Sequence, residues 1–187
     1  MIRNSFFLVA FLLACASRAE AKNTCNTAPY TKVMPAHTGL TFGMSINDAY
    51  KAAERTYGRK AIVRRDKGNV IVNIRGSQQD IFDQIAFIQL NGRVVTMAWS
   101  YANSFQDKLG GPAEALTTLV KKVKSVIGLA DDASKIDKGF KFMWNEKGGL
   151  SATITGEDPY KIFFKFTCES LESSERTKMR QSVNLGF

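Results

Sequence analysis

The sequence predicts an α+β fold in which an antiparallel sheet of about seven strands carries two amphipathic helices on one face. Two segments have apolar residues at helical spacing, and strand-like runs follow each of them. An Asn-Gly pair between two alternating runs marks a hairpin. The predicted order is helix, four strands, helix, three strands, which suggests two similar α-β halves.

The first predicted helix follows Ser45, which is suited to be the N-cap residue, with Asp48 three residues later as in a capping box. Gly58 supplies the C-terminal stop. The apolar face of this helix consists of Ile46, Ala49, Tyr50, Ala53 and Tyr57.

Four strands are predicted after the first helix. Residues 66–68 form the first turn, and Asn91-Gly92 forms the second because both residues tolerate the positive φ of a type I′ turn. The strand-like segments are residues 61–65, 69–74, 85–90 and 93–99.

The second predicted helix begins at Pro112, has Glu114 in its first turn and ends at Gly128. Its apolar stripe consists of Leu116, Leu119, Val120, Val123, Val126 and Ile127. Three further strands are predicted at residues 140–144, 150–155 and 160–168.

The N-terminus predicts a secretory signal peptide over residues 1–21, with a cation, an apolar run and a small-x-small cleavage site. The leader contains two arginines and one glutamate, so its removal lowers the formal net charge from +9 to +8. No later segment is long enough to span a membrane. We expect an extended N-terminal arm at 22–37, a single α+β domain at 38–168 and a polar C-terminal tail at 169–187, in which residues 171–176 are a candidate short helix.

Two cysteines remain after the leader, Cys25 and Cys168. Because exported proteins fold in oxidising surroundings, we expect a structural disulfide between them rather than a reactive thiol. Cys15 lies inside the leader, in Leu12-Leu13-Ala14-Cys15, which resembles the lipobox of bacterial lipoproteins. That resemblance implies a lipid anchor on Cys15 as the alternative to cleavage after Ala21.

Catalytic constellations are scarce in this sequence. His37 is the single histidine, which argues against a zinc site and leaves one candidate for general-base chemistry. Asp131-Asp132 and Glu157-Asp158 are the close acid pairs, and both fall in predicted turns. We therefore expect no catalytic residues, no metal and no cofactor, and the chain is more consistent with a non-enzyme.

Positive charge is the clearest surface feature. Two groups stand out, Arg59, Arg64 and Arg65 near the first hairpin and Lys121, Lys122 and Lys124 on the second helix. They are either a solubilising surface or a binding site for an anionic partner, namely lipid head groups, a cell-wall polymer or an acidic protein. No nucleic acid is expected as a partner outside the cytoplasm.

The segment Gly39-Leu40-Thr41-Phe42-Gly43-Met44-Ser45, before a helix ending at Gly58, resembles the opening of BamE-type envelope modules. Those are small α+β lipoproteins that bind other envelope proteins, so the resemblance implies a bacterial envelope setting. We expect an exported, basic, non-enzymatic binding or accessory protein, periplasmic or secreted. The alternatives are a hydrolase using His37 or a carboxylate pair, a lipoprotein, and a small outer-membrane β-barrel suggested by the alternating Val183, Leu185 and Phe187.

Overall fold

The structure is a computed structural model, and it describes residues 25, 27, 30, 32–35, 39–59, 61–74, 81–137, 139–145, 149–157 and 161–184. The helices are α1 (Ile46–Tyr57), α2 (Asn103–Lys108), α3 (Pro112–Ile127) and α4 (Glu169–Asn184). The strands are β1 (Ala61–Asp66), β2 (Asn69–Ile74), β3 (Phe82–Leu90), β4 (Arg93–Tyr101), β5 (Asp132–Ile136), β6 (Gly139–Trp144), β7 (Leu150–Glu157) and β8 (Lys161–Cys168). The predicted leader, with Cys15, and His37 lie outside the described residues.

All eight strands form one antiparallel sheet in the order β1-β2-β3-β4-β8-β7-β6-β5. Each half of the chain contributes a helix and a four-stranded meander, and the last strands of the two meanders, β4 and β8, pair at the centre. The α+β class and the division into two similar halves are therefore confirmed. The two edges of the sheet are β1 and β5.

The helices α1 and α3 cover the same face of the sheet. The guanidinium of Arg65 lies 5.0 Å from the centre of the Tyr50 ring, which places α1 on the Arg65 side of β1. Leu116 of α3 contacts Gly156 of β7. The register from β1 across the sheet to β7 places Gly156 on the same face as Arg65. The core between them is built from aromatic and aliphatic side chains, of which the largest are Trp99, Tyr30, Phe87, Phe164 and Phe166.

The caps and turns agree with the sequence. The Ser45 side chain accepts a hydrogen bond from the backbone N–H of Asp48 at 3.1 Å, as an N-cap residue does. Asn91 and Gly92 adopt φ of 50° and 76° between β3 and β4. These positive values are what a two-residue hairpin turn requires, so the turn was specified locally. The β3–β4 register was not, because it shifts between Ile88 and Gln89 and again between Phe82 and Gln84.

Three segments differ from the sequence prediction. Asp132–Ile136 forms an edge strand, β5, where a turn was expected. The sequence did not predict this strand because its side chains are mostly exposed and show no apolar alternation. The short helix α2 was not expected. It is held against the end of β4 by Gln106, whose Nε2 donates to the Tyr101 carbonyl at 2.9 Å. The polar C-terminal segment, expected as a tail, forms α4 and buries Leu171.

The N-terminal arm is also more structured than an extended segment. The backbone N–H groups of Val33 and Met34 both donate to the Tyr30 carbonyl, at 2.9 and 2.7 Å, which closes a tight turn. All three side chains are buried in the core. Cys25 of the arm and Cys168 of β8 lie at disulfide distance with their Cα atoms 5.7 Å apart, as expected. Among the described residues no helix is both long and apolar enough to cross a bilayer.

Candidate binding surfaces

The lysines of α3 form an exposed basic surface. Lys121, Lys122 and Lys124 are all solvent-exposed. The only acidic residue of α3 is Glu114 in the first turn, so no carboxylate lies three or four residues from any of the three lysines within the helix. The residues of α3 buried against the sheet are Ala115, Leu119 and Val123. We call Lys121, Lys122 and Lys124 the α3 lysines.

Arg59, Arg64 and Arg65 do not form one cluster. Arg64 and Arg65 are successive residues of β1, so their side chains point to opposite faces of the sheet. Arg65 lies against α1, where its Nη2 donates to Oδ1 of Asn47 at 2.8 Å. Arg59 is exposed in the connection between α1 and β1. Arg65 therefore lies on the helix-covered side of the sheet and Arg64 on the other.

The two basic groups are also far apart. The helix α3 packs on β7 and β8, and β1 lies four strand positions from β8. With strands about 4.8 Å apart, that separation is about 19 Å. Screening in about 0.1 M salt acts over roughly 10 Å, so the arginines and the α3 lysines act as separate surfaces. The fold does not make one continuous patch of the six residues.

The face of the sheet opposite α1 and α3 is mostly polar, and we call it the open face. At one end of it Thr96, Thr167, Ser151 and Thr153 are buried, where Ser151 meets Glu169 of α4. The side chains of the open face line up in rows across the strands, since each residue pairs with the next in register. Two complete rows are Ile62, Asn73, Gln84, Ser100, Phe163, Thr155, Lys141 and Ser134, and Arg64, Ile71, Ala86, Ala98, Lys165, Thr153, Met143 and Asp132.

One region of the open face is a shallow depression of about 470 Å³. Its floor crosses four adjacent strands and is lined by Asn73, Gln84, Ser100 and Phe163. Nε2 of Gln84 donates to Oδ1 of Asn73 at 2.9 Å, which holds the two carboxamides side by side. Asp83, Asn103 and Lys161 line the rest of the depression. We call these seven residues the open-face depression.

The helix α4 is joined to the end of the sheet by a buried carboxylate. Glu175 is 1% exposed, and its Oε2 accepts from Nδ2 of Asn91 in the β3–β4 turn at 2.9 Å. Its Oε1 accepts from Nζ of Lys178 at 2.9 Å and lies 3.9 Å from Nε of Arg93. Nearer the start of α4, Oγ of Ser151 donates to Oε1 of Glu169 at 2.6 Å. These contacts make α4 part of the domain.

The acid pairs have structural roles or lie far apart. Oδ2 of Asp131 accepts from the backbone N–H of Asn145 at 2.6 Å, which closes the loop before β5. Strand spacing and register place Asp132 and Glu157 about 16 Å apart. Glycosidase carboxylates are separated by about 5–9.5 Å, so Asp132 and Glu157 do not form such a site. Asp158 lies outside the described residues, and within the described part of the chain no group of three or more His, Cys, Asp or Glu residues could hold a metal ion.

Comparison with known proteins gives one similarity in shape. No protein-family model matches the chain, and no curated protein sequence matches it. Among solved structures, a DUF4309 family protein (YjgB) from Bacillus subtilis subsp. subtilis str. 168 is similar with a TM-score of 0.44 and 14% identity, over 79% of this chain and 94% of that chain. A likeness of this size says nothing about function.

The open-face depression is the surface that sequence reasoning missed. Asn73, Gln84 and Ser100 sit at polar positions of alternating strands, where polar side chains are ordinary. The alternation did indicate that one face of the sheet is polar. Their convergence with Phe163 depends on the pairing of β4 with β8, which joins residues 63 positions apart in the chain and has no local signal.

Proposed function

We propose that this protein is an exported, non-enzymatic binding protein of the bacterial envelope, periplasmic or secreted, that recognises an acidic or anionic partner. The observation that carries the proposal is the surface of α3, where three exposed lysines have no compensating carboxylate within one helical turn. The formal net charge of +9, or +8 without the leader, favours the same kind of partner.

The α3 lysines stand on a well-anchored element. Leu119 and Val123 are buried beneath the helix, and Nε1 of Trp144 donates to the Gly128 carbonyl at the helix end at 3.1 Å. A charged surface on a packed helix keeps its geometry on binding, so little conformational entropy is lost beyond that of the lysine side chains. This anchoring supports recognition rather than a purely solubilising role.

The arginines form the weaker candidate surface. Arg65 is engaged with Asn47 and Tyr50 on α1, and Arg64 lies on the opposite face. Asn47 takes one of the five N–H donors of Arg65, and the contact with Tyr50 holds the guanidinium against α1, so it is less free to turn towards a partner. We therefore assign the main binding role to the α3 lysines.

The test is capture of a partner from envelope extract at low and high salt, followed by measurement of association and dissociation rates. Exposed charge pairs are worth about 0.2–1 kcal/mol each and act mainly on the association rate. We expect the K121E/K122E/K124E variant to fold normally, to recover less partner at low salt and to associate more slowly.

A matched control separates local from total charge. Lys51, Arg55 and Lys67 are exposed cations on α1 and in the β1–β2 turn, at the far side of the sheet from α3, and the K51E/R55E/K67E variant has the same net charge as the α3 variant. We expect the control to retain most of the capture. Equal recovery of the partner by all three proteins at both salt concentrations would refute the proposal.

A further inference from the structure

We propose that the open-face depression is a binding site for an oligosaccharide. This inference goes beyond the basic surface of α3, because it concerns the opposite face of the sheet and a ligand of different chemistry. It rests on three observations, which are the hydrogen-bonding groups of the depression, its balance of charge and its one aromatic ring.

The polar lining matches the chemistry of sugar hydroxyl groups. A sugar hydroxyl both donates and accepts hydrogen bonds, so it is best matched by groups that do both. Asn73, Gln84 and Asn103 each carry a carboxamide with two N–H donors and a carbonyl acceptor, and Ser100 adds a hydroxyl. The bond from Gln84 to Asn73 uses one donor and one acceptor lone pair, which leaves the remaining capacity of both side chains for a ligand.

The charges of the depression do not suit an anionic ligand. Asp83 and Lys161 are its only charged residues, and they have opposite sign. A phosphate or acidic-peptide site would concentrate cations, as the α3 lysines do. The two surfaces therefore differ in the class of ligand that they favour.

Phe163 supplies the apolar contact that a sugar ring requires. Its ring is half-buried, the other residues that line the depression are polar, and it lies in the same cross-strand row as Ser100. The face of an aromatic ring carries partial negative charge, which attracts the polarised C–H groups on one face of a pyranose ring. A ring stacked on Phe163 would present its hydroxyl groups towards the neighbouring polar side chains.

The row also sets the size of the ligand. Asn73, Gln84, Ser100 and Phe163 occupy successive strands, so three inter-strand steps span about 14 Å. That length exceeds a single sugar ring and fits a short chain of sugars. Side chains on paired strands hold their spacing before the ligand arrives, which favours binding.

The test is titration of the full protein with cellotetraose and with tetra-N-acetylchitotetraose, followed by calorimetry and by NMR chemical-shift changes. We expect saturable binding of at least one probe with a dissociation constant of about 1 mM or lower. The F163A variant should weaken binding about tenfold or more, and N73L should weaken it as well. Binding of neither probe would overturn the proposal.

Control variants make the result specific to the depression. Met143 is a half-buried apolar residue of the open face outside the depression, so M143A should bind the probe like the unchanged protein. The K121E/K122E/K124E variant should also bind it normally, and F163A should still capture an acidic partner. If folded F163A and N73L bind as the unchanged protein does, or if M143A loses binding equally, the proposal is wrong.

Discussion

Glu175 is the residue that ties the C-terminal helix to the rest of the fold. Burial by itself raises the pKa of its carboxyl group, but hydrogen bonds from Lys178 and Asn91 and the charges of Lys178 and Arg93 outweigh burial. The pKa of Glu175 therefore lies below its usual value of 4.5. The ionised form is the one that holds α4 against the β3–β4 turn.

We expect the E175Q variant to lower the free energy of unfolding by about 1–2 kcal/mol at pH 7, since a neutral amide replaces a charged acceptor of two hydrogen bonds. The measurement is urea unfolding. The control is E172Q: Oε1 of Glu172 pairs with Arg176 at 2.6 Å across an exposed helix surface. An exposed pair of this kind is worth at most about 0.5 kcal/mol.

The same variant gives a pH signature. Because the folded-state pKa of Glu175 is lowered, its contribution is fully present above the unfolded-state value and is lost as the pH falls through the folded-state value. The stability difference between the unchanged protein and E175Q should therefore shrink when the pH is lowered from 7 into the acid range below 4.5. A difference that stays constant with pH would show that Glu175 acts by packing alone.

At the scale of elements, the packing of α3 on β7 depends on a glycine. A Cβ atom placed on Gly156 would lie 2.6 Å from Cδ2 of Leu116 and 3.2 Å from its Cδ1. Such distances are shorter than van der Waals contact, so the leucine occupies the space that any larger residue at position 156 would need. The Leu116 side chain therefore packs directly on the strand backbone at Gly156.

We expect G156A to destabilise the protein by about 1 kcal/mol or less, because the atoms in its way are the end of the Leu116 side chain, which can rotate aside. Introduced into the L116A background, the same substitution should cost much less, because the clashing methyl groups are gone. Thermal or urea unfolding of the four proteins completes the double-mutant cycle. Additive effects of the two substitutions would contradict direct packing of Leu116 on Gly156.

At the scale of the whole molecule, the Cys25–Cys168 bridge joins the N-terminal arm to the end of the last strand. The two residues are 143 positions apart in the chain. The arm also reaches the core by packing, since the rings of Tyr30 and Phe166 meet edge to face with centroids 5.5 Å apart. The bridge therefore restricts nearly the whole unfolded chain.

We expect C25A and C25A/C168A to have the same free energy of unfolding. Both should be about 4–5 kcal/mol less stable than the unchanged protein, which is the chain-entropy estimate for so long a loop. The melting temperature should fall by on the order of 10 °C. Intact-mass analysis of the protein after expression from its full-length sequence, with and without reductant, checks the bridge and the predicted leader together. Two free thiols would contradict the bridge, and an N-terminus that retains Met1 would contradict cleavage of the leader.

The sequence by itself determined the local elements of this protein. Ser45 and Asp48 set the start of α1, Asn91-Gly92 set the β3–β4 hairpin, and the apolar stripe of α3 set which side of that helix is buried. Caps, tight turns and periodicity arise from residues a few positions apart, so they are present in any short window of the chain. The polar, exposed β5 lacks such a pattern and was missed.

Only the tertiary structure decided how the two halves meet and what they place together. The pairing of β4 with β8 aligns Ser100 with Phe163 and creates the open-face depression, while the width of the sheet separates Arg64 and Arg65 from the α3 lysines. Contacts between distant segments depend on strand order and register across the whole sheet. These long-range pairings are set by the combined burial of both halves, and no local pattern of residues predicts them.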